Sequence, residues 1–388
     1  MWGPDKLTLA IAASVVAVLG DGPAFGRDWY LNTYGLSQQY SISRFNDRGH
    51  PVPSTPVIRP SREGFDKVHI AWPSAIRTPD GIHVFASGFD GQMWRAIGLW
   101  TSNDGIVFRR RGPVFAASQN EPHGIGPSHV WYDPAAAEPF GLYFLVRGPS
   151  GPGQAIAYAT SRDGRAWARR GIVLTADRQE EEAGISMSYA CRSRSGEWVF
   201  FYQGYPNLNE GVAMVATADR PEGPFGRKAV LMRGDNVSAR VRHGRRRENF
   251  VVVDDARLLT PGHIYLLHGN SGDLQNSELV EVAQIKDRVV LLTRPLLRGH
   301  DEHAMLSMAR AKVDPSFARE TSQGWEGIFT VYGPAPGIHA EYTMSVRGRS
   351  LQSPWEPTRS GVRFSPRAPE HRYSAENPTP LVRGPSCE

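Results

Sequence analysis

The sequence contains few cysteines and little excess charge, and both shortages limit what the protein can be. Only Cys191 and Cys387 occur in 388 residues, so neither a disulfide framework nor a cysteine-based zinc site can form. Export would permit one bridge between them, whereas the apolar, strand-like run around Cys191 also suits a buried free thiol. The net charge of +5 is modest, which argues against a nucleic-acid-binding protein.

Long apolar runs are missing beyond the N-terminus, which excludes a later helix that spans a membrane. A short apolar run at 7–19 follows Lys6 and precedes the small residues Ala24 and Gly26. This layout is typical of a signal peptide, although an uncleaved anchor is the alternative. We predict a signal peptide at residues 1–26, a secreted or periplasmic mature protein, and no stable membrane insertion after cleavage.

Glycine, proline and aromatic residues are abundant. The chain has 40 Gly, 30 Pro, 10 Trp and 13 Tyr residues. This composition favours many short strands joined by tight turns over long helices. We therefore predict an all-β fold.

An internal repeat makes this prediction more specific. Residues 70–115 and 125–174 match element by element, and Ser161 follows the equivalent Ser102 by 59 residues. Each unit has four β-type runs separated by Gly, Asp or Pro turns, the pattern of one propeller blade.

Three further units begin near residues 185, 250 and 304. We predict a five-bladed β-propeller with a central funnel over residues 27–358, and a C-terminal wrap or tail at 359–388. A β-sandwich is the alternative fold.

Several segments resemble a known enzyme superfamily. Residues 102–108 and 161–167 share the pattern Ser-x-Asp-Gly-x-x-aromatic, 65–76 reads FDKVHIAWPSAI, and 223–225 is a Gly-Pro-Phe turn. These segments resemble the five-bladed β-propeller glycoside hydrolases of the arabinofuranosidase, levansucrase and invertase type. The resemblance implies cleavage of a glycosidic bond, with furanosides among the possible substrates. We expect the Ser-x-Asp-Gly turns to be structural, because Ser and Asp side chains bond nearby backbone.

Glycoside hydrolysis uses two carboxyl groups that flank the scissile bond. The resemblance assigns the base or nucleophile to Asp66, before the first inner strand. It assigns the acid to the run before the third inner strand, where Glu182 is slightly preferred over Glu181. Asp254 and Asp255 are further catalytic candidates, because two adjacent acids in an apolar run are unusual unless one faces a polar funnel.

The sequence departs from the family pattern in two places. Neither Trp72-Pro-Ser nor Gly126-Pro-Ser has the acid that the larger families place before the proline. This departure keeps a second function open, a carbohydrate-binding propeller without catalysis. A glycosyl transferase or phosphorylase with the same fold is a third possibility.

Substrate-binding candidates surround these positions. His69 and His123 hold equivalent places ahead of the two Pro-Ser pairs, and Trp72 can stack on a sugar face. We add Arg257, which follows the acid pair of the fourth unit. The arginine-rich segment 240–247 is either a solvated loop or a positive rim that attracts an anionic polymer.

The predicted partner is a poly- or oligosaccharide substrate, and the arginine-rich segment would suit an anionic one. The expected oligomeric state is a monomer. No cofactor is required. The resemblance allows a structural Ca²⁺ in the central channel.

Overall fold

The computed structural model describes residues 30–36, 39–45, 56–149, 152–208, 210–234, 236–257, 259, 261, 264–269, 278–300, 302–309, 312–335, 338–362, 375–381 and 384–387. The predicted signal peptide lies outside these residues. The described chain is an all-β structure, as predicted. Its strands are β1 (Tyr30–Leu36), β2 (Gln39–Phe45), β3 (His69–Thr78), β4 (Gly81–Phe89), β5 (Trp94–Ser102), β6 (Arg109–Ala116), β7 (Ile125–Tyr132), β8 (Phe140–Arg147), β9 (Gly153–Ser161), β10 (Trp167–Thr175), β11 (Gly184–Arg192), β12 (Trp198–Asn207), β13 (Glu210–Ala218), β14 (Gly226–Met232), β15 (Asn236–His243), β16 (Phe250–Val253), β17 (Ile264–His268), β18 (Glu278–Lys286), β19 (Val289–Leu292), β20 (Met305–Ala309), β21 (Lys312–Thr321), β22 (Gly324–Ala335), β23 (Ile338–Gly348), β24 (Glu356–Val362) and β25 (Ala375–Pro380).

The first three repeat units each form an antiparallel run of four strands. These runs are β3 to β6, β7 to β10 and β11 to β14, with each strand paired to the next along the chain. A single residue pair, Ile185 with Gly153, links the second run to the third. Short strands that alternate with tight turns therefore produce the successive hairpins that the repeat predicts.

The Ser-x-Asp-Gly turns join the last two strands of the first two runs. Asp104 Oδ1 accepts the backbone N–H of Ile106 at 2.8 Å and of Val107 at 2.9 Å, and also the Ser102 hydroxyl at 2.9 Å. These bonds lower the pKa of Asp104 to about 2. Gly105 has a φ of 71°, which favours glycine, and Asp163 makes the same contacts in the second run. The predicted structural role of these turns is confirmed.

The fourth repeat unit does not form a blade. The described strands between residues 236 and 309 form a closed barrel with the strand order β15-β16-β19-β18-β17-β20. The barrel has its own core, which includes Val241, Val251, Tyr265 and Leu306. Its short alternating strands carry the same sequence pattern as blade strands, which explains why the unit at 250–283 was misread.

Two more sheets contain the remaining strands. β21 to β24 pair in order as an antiparallel run, and β25 pairs with β1, which pairs with β2. The first strand of each four-stranded run, together with β25, also contacts its counterparts in the neighbouring runs. The contacts run from β3 to β7, to β11, to β21, to β25 and back to β3.

Aromatic side chains fill the spaces between neighbouring sheets. Trp167, which follows the second Ser-x-Asp-Gly turn, packs edge-on against Phe85 and Phe140 at ring distances of 6.0 and 6.4 Å. The next space holds Tyr143 and Phe200, which also meet edge-on at 5.2 Å. Trp167 therefore packs between the first two runs.

The C-terminal segment is attached to the third and fourth four-stranded runs. Cys191 of β11 and Cys387 form a disulfide, with their Cα atoms 5.0 Å apart. The Cys387 N–H donates to the Arg192 carbonyl at 2.9 Å, and the Glu320 N–H donates to the Cys387 carbonyl at 2.8 Å. Residues 384–387 therefore connect β11 with β21, and the bridge that the sequence left open is present.

Removing this bridge is expected to destabilise the protein. The two cysteines are 196 residues apart, and closing so long a loop restricts the unfolded chain strongly. We expect Cys387→Ser to lower the free energy of unfolding by about 2–4 kcal/mol in denaturant titrations. A reductant should lower the free energy of unfolding of the wild type by a similar amount and leave that of the variant unchanged. A wild-type free energy of unfolding that does not change with the reductant would contradict the prediction.

Candidate functional site

A buried carboxylate precedes the first strand of each of the first three runs. Asp66, Glu121 and Glu181 are 0%, 5% and 2% exposed. Each is paired with a cation on the outer strand of its own run: Asp66 with Arg110, Glu121 with Arg169 and Glu181 with Lys228. We call these three pairs the latch pairs, because each ties the entry of a run to its last strand.

The Asp66 carboxylate is fully engaged by its neighbours. Arg110 donates from Nη2 to Oδ1 at 2.8 Å and from Nε to Oδ2 at 3.1 Å, and Ser61 adds a hydroxyl bond of 2.6 Å. This bidentate pair holds the acid at the outer strand β6. This geometry favours a structural role for Asp66, and its role as base or nucleophile stays a prediction.

Glu181 is held in the same way. Lys228 Nζ lies 3.1 Å from Oε1 and 2.9 Å from Oε2, and Oε2 also accepts the Asp177 N–H at 2.8 Å. Tyr202 donates its hydroxyl to Oε1 at 2.5 Å. Burial, and then the Glu181 carboxylate, raise the pKa of Tyr202, so this hydroxyl stays protonated. Glu181 therefore belongs to a latch pair, and its catalytic role stays a prediction.

Glu121 completes the series that the sequence analysis missed. Burial raises its pKa, but the hydrogen bonds of Ser118 and Arg169 outweigh that effect, so the pKa is lowered overall. The signal in the sequence was the equivalence of Glu121 with Asp66, each placed a few residues before a matching strand. An acid that recurs at the same place in successive repeats indicates a structural role more than a unique catalytic one.

Glu182 differs from its neighbours. It is exposed and stands just before β11, at the end of a 3₁₀ turn formed by Gln179–Glu181. Glu180 pairs instead with Arg233 at 2.7 Å. Of the three glutamates, Glu182 is the preferred candidate proton donor, and its catalytic role stays a prediction.

Asp254, Asp255 and Arg257 lie elsewhere than predicted. They follow β16 in the barrel rather than lying in the inner strand of a blade. Arg257 and Asp255 pair with each other at 2.6 Å, and 87% of the Arg257 side chain is exposed. Asp254 accepts the Arg240 N–H at 3.0 Å. This contradicts their predicted position in the funnel, because the fourth unit is a barrel.

A Pro-Ser pair marks the beginning of three edge strands. Trp72, Gly126 and Asp314 each stand directly before such a pair, in β3, β7 and β21. The strand register shifts at all three places, between residues 71 and 74, 125 and 128, and 314 and 317. We call these places the Pro-Ser bulges. Asp314 is therefore an acid before a Pro-Ser pair, at the fourth run instead of the first.

Asp314 is a candidate site residue that the sequence analysis overlooked. Asp314 is 2% exposed, and the hydroxyl groups of the nearby Ser316 and Thr330 are hydrogen-bonded to each other at 2.7 Å. The signal was available in the triplets Trp-Pro-Ser, Gly-Pro-Ser and Asp-Pro-Ser.

The first Pro-Ser bulge carries a partly exposed aromatic cluster. It consists of Trp72, Trp94, His69 and Phe89. Trp72 and Trp94 are 4.3 Å apart between ring centroids, and His69 is 5.4 Å from Phe89. Trp72 has a φ of 54°, a left-handed conformation that costs a non-glycine residue roughly 1–3 kcal/mol and is common at functional sites. Partial burial lowers the pKa of His69, and its Nδ1 accepts the Tyr40 N–H at 3.1 Å.

Arg147 joins this cluster to the second Pro-Ser bulge. Its guanidinium carbon lies 5.7 Å from the centre of the Trp72 ring, and its Nη1 donates to the Gly126 carbonyl at 3.0 Å. The pKa of Arg147 is lowered overall, because burial lowers it more than the nearby Tyr205 raises it. Gly126 must be small, because a Cβ there would lie 2.2 Å from the Ser87 hydroxyl.

Backbone pairs bring the third and fourth runs to the same end. Tyr205, which raises the pKa of Arg147, pairs with Gly184, and Gly184 lies two residues after Glu182. Gly211, at the start of the next strand, pairs with Lys312, two residues before Asp314. Trp72, Arg147, Glu182 and Asp314 are therefore carried by one end of the sheets, which we call the upper end.

His123, a predicted binding residue, and Trp131 lie in different environments. His123 is exposed, beside Gly124, whose backbone pairs with Trp94 of the aromatic cluster. Trp131 is buried, with its ring 5.1 Å from Trp198 between the second and third runs. His123 thus adjoins the site, and Trp131 belongs to the core.

Metal ligands do not cluster in the part of the chain that the structure describes. No three His, Cys, Asp or Glu side chains converge there. A Ca²⁺ ion in a central channel remains a prediction. Among the described residues, none of the helical segments has the length and apolar character to cross a membrane.

Comparisons with known proteins give structural neighbours but no family. No family model and no curated protein matches the chain. An α-L-arabinanase from Cellvibrio cellulosa is 11% identical with a TM-score of 0.42, over 81% of this chain and 78% of that one. The catalytic domain of a Coprinopsis cinerea GH62 α-L-arabinofuranosidase is 12% identical with a TM-score of 0.43, over 78% and 72%.

A β-1,2-mannobiose phosphorylase from Listeria innocua is 16% identical with a TM-score of 0.39, over 70% of this chain and 66% of that one. The arabinanase and the arabinofuranosidase are hydrolases of the type that the turn motifs resemble, whereas the phosphorylase is not. Because the identities and TM-scores are low, we base the proposed function on the residues of this chain.

Proposed function

We propose that the chain is a five-bladed β-propeller glycoside hydrolase with its active site at the upper end. The closed succession of contacts among β3, β7, β11, β21 and β25 supports five blades. β25 carries Asn377-Pro-Thr near a register shift, much like the Pro-Ser bulges. In this architecture, β1, β2 and β25 form the fifth blade, and the barrel is an insertion between the third and fourth blades.

The position of Asp314 supports a hydrolase more than any other observation. Retaining and inverting hydrolases both need an ionised carboxylate opposite a proton donor. Asp314 is a buried acid at a bulge of an inner strand, outside the three latch pairs. We assign Asp314 the role of base or nucleophile and Glu182 the role of acid.

The remaining groups of the upper end fit a sugar substrate. Aromatic faces stack on the apolar faces of sugar rings, and the aromatic cluster offers two tryptophans for this contact. Arg147 and the exposed His123 can donate hydrogen bonds to sugar hydroxyls. Because the turn motifs of this chain resemble those of arabinofuranosidase-type hydrolases, we propose a furanoside in a poly- or oligosaccharide as the substrate. The disulfide supports an exported protein, because such bridges persist in oxidising compartments.

A carbohydrate-binding propeller without catalysis is the second candidate. It is favoured by Trp72 and Gly126, which stand where an acid would be expected before the Pro-Ser pairs. It is also favoured by the latch pairs, which engage Asp66 and Glu181. The aromatic cluster would serve this function equally well.

A substrate screen separates these functions. Nitrophenyl furanosides and pyranosides should be tested for chromophore release, beside binding to arabinan and to mannan by affinity electrophoresis. Release of the chromophore supports the hydrolase. Binding without turnover of any bound polysaccharide supports the second candidate. Turnover that requires added inorganic phosphate and yields a sugar phosphate would indicate a phosphorylase.

A further inference from the structure

A second concave site lies far from the upper end. It occupies about 610 Å³ between the first two runs. One wall is the β3–β4 turn with Asp80 and His83, and the opposite wall is the second Ser-x-Asp-Gly turn. Thr78, at this end of β3, is six residues from Trp72, or about 20 Å along the strand. We call this site the lower cleft.

Four arginines line the lower cleft. Arg109 and Arg111 come from β6, and Arg162 and Arg165 come from the turn after β9. None of the four forms an ion pair with a carboxylate of the described residues, in contrast to Arg110, Arg169 and Arg170 beside them. Arg111 Nε donates to the Thr101 hydroxyl at 2.9 Å, and its two terminal nitrogens can still bind a ligand, as can the guanidinium groups of the other three arginines.

The carboxylates of the lower cleft are mostly committed to its walls. Asp104 and Asp163 each use one oxygen to hold two backbone N–H groups and a serine of their own turn. Their other oxygens can accept hydrogen bonds from hydroxyl groups, and the Asn103 amide can both accept and donate them. The cleft thus combines four cations with hydroxyl-binding groups.

His83 forms a buried part of the wall. It stacks on Phe140 with an angle of 8° between the ring planes. Its Nδ1 has no hydrogen-bond partner among the described residues, and the residue is 9% exposed. Burial lowers the pKa of His83, and Arg165 and Arg111 lower it further while Asp80 opposes them. Guanidinium groups from two different runs therefore approach the same imidazole.

We propose that the lower cleft binds an acidic saccharide, with its carboxylate or sulfate held by the arginines. Arg matches planar and tetrahedral oxyanions because its N–H groups form a fixed fork. Tyr132 and Val107 line the same cleft and offer apolar contact to a sugar ring. The site is separate from the proposed active site and does not require it. Its occupant would be an acidic residue or substituent of a polysaccharide, bound on the opposite end of the sheets.

The test compares two double variants of equal charge. Arg111→Ala with Arg165→Ala removes cations from both walls, whereas Arg288→Ala with Arg294→Ala removes two exposed arginines of the barrel that lie outside the segment 240–247. Binding of oligogalacturonate, a heparin-derived oligosaccharide and a neutral oligosaccharide would be measured by calorimetry. Thermal unfolding would verify that both variants fold.

We expect one acidic oligosaccharide to bind the wild type, with the cleft variant weakened at least about tenfold and the barrel variant changed less than twofold. Inorganic sulfate should compete only at much higher concentration than the saccharide. The proposal is overturned if no acidic oligosaccharide binds, if both variants lose affinity equally, or if sulfate competes as well as the saccharide. Asp314→Asn should leave this binding intact, so the result is independent of the proposed hydrolase activity.

Discussion

Replacing Asp314 by Asn is expected to lower glycoside turnover by roughly 10²–10⁴-fold while substrate binding survives. The amide keeps the shape of the side chain, but it cannot attack an anomeric carbon or take a proton from water. The rate would be measured on the best aryl glycoside from the screen, and binding by affinity electrophoresis.

Two comparisons make this result specific. Asp219→Asn changes an aspartate whose side chain is 93% exposed, and it should leave turnover within about twofold. Glu182→Gln should slow substrates with poor leaving groups most, because these depend on the acid. An unchanged rate in Asp314→Asn would remove Asp314 from the mechanism, and no turnover by the wild type would favour the binding function.

Replacing Lys228 by Met is expected to lower the free energy of unfolding by about 3–5 kcal/mol. The side chains of Lys228 and Glu181 are 7% and 0% exposed, so solvent cannot replace the lost cation. Without Lys228, the Glu181 carboxylate stays buried beside Tyr202 with an uncompensated charge. Denaturant titration at neutral pH would measure the loss.

The double variant distinguishes a buried charge from lost packing. Glu181→Gln combined with Lys228→Met removes both charges and keeps an acceptor for the Tyr202 hydroxyl, so much of the stability should return. A loss below about 1 kcal/mol in Lys228→Met would show that the pair is solvated. A double variant as unstable as the single one would show that packing, and not charge, dominates.

The first three runs could be predicted from the sequence because their turns carry local marks. Ser102 and Ser161 each begin a Ser-x-Asp-Gly turn whose bonds lie within a few residues. The barrel could not be recognised, because the alternation in β16 and β17 is the same in a barrel and in a blade. Pairing between β15 and β20 closes the barrel, and no turn motif near either strand indicates this pairing.

The site was harder to predict for a related reason. Whether an acid before a strand is free depends on partners far away in the chain, as with Asp66 and Arg110, which are 44 residues apart. The similar placement of Glu121 before its own strand was the observation in the sequence that indicated a structural role for such acids. Asp314 was overlooked because the barrel precedes it and interrupts the 59-residue spacing that relates Ser102 to Ser161.

The pairing of β1 with β25 also bears on how the molecule is made. β25 is synthesised long after β1, so β1 can pair with it only after the strands between them have been made. Cys387 follows β25 in the chain, and its partner Cys191 is synthesised much earlier. The pairing of β1 with β25 and the disulfide therefore both require that residues 375–387 have been made. A stalled or prematurely terminated chain would lack both.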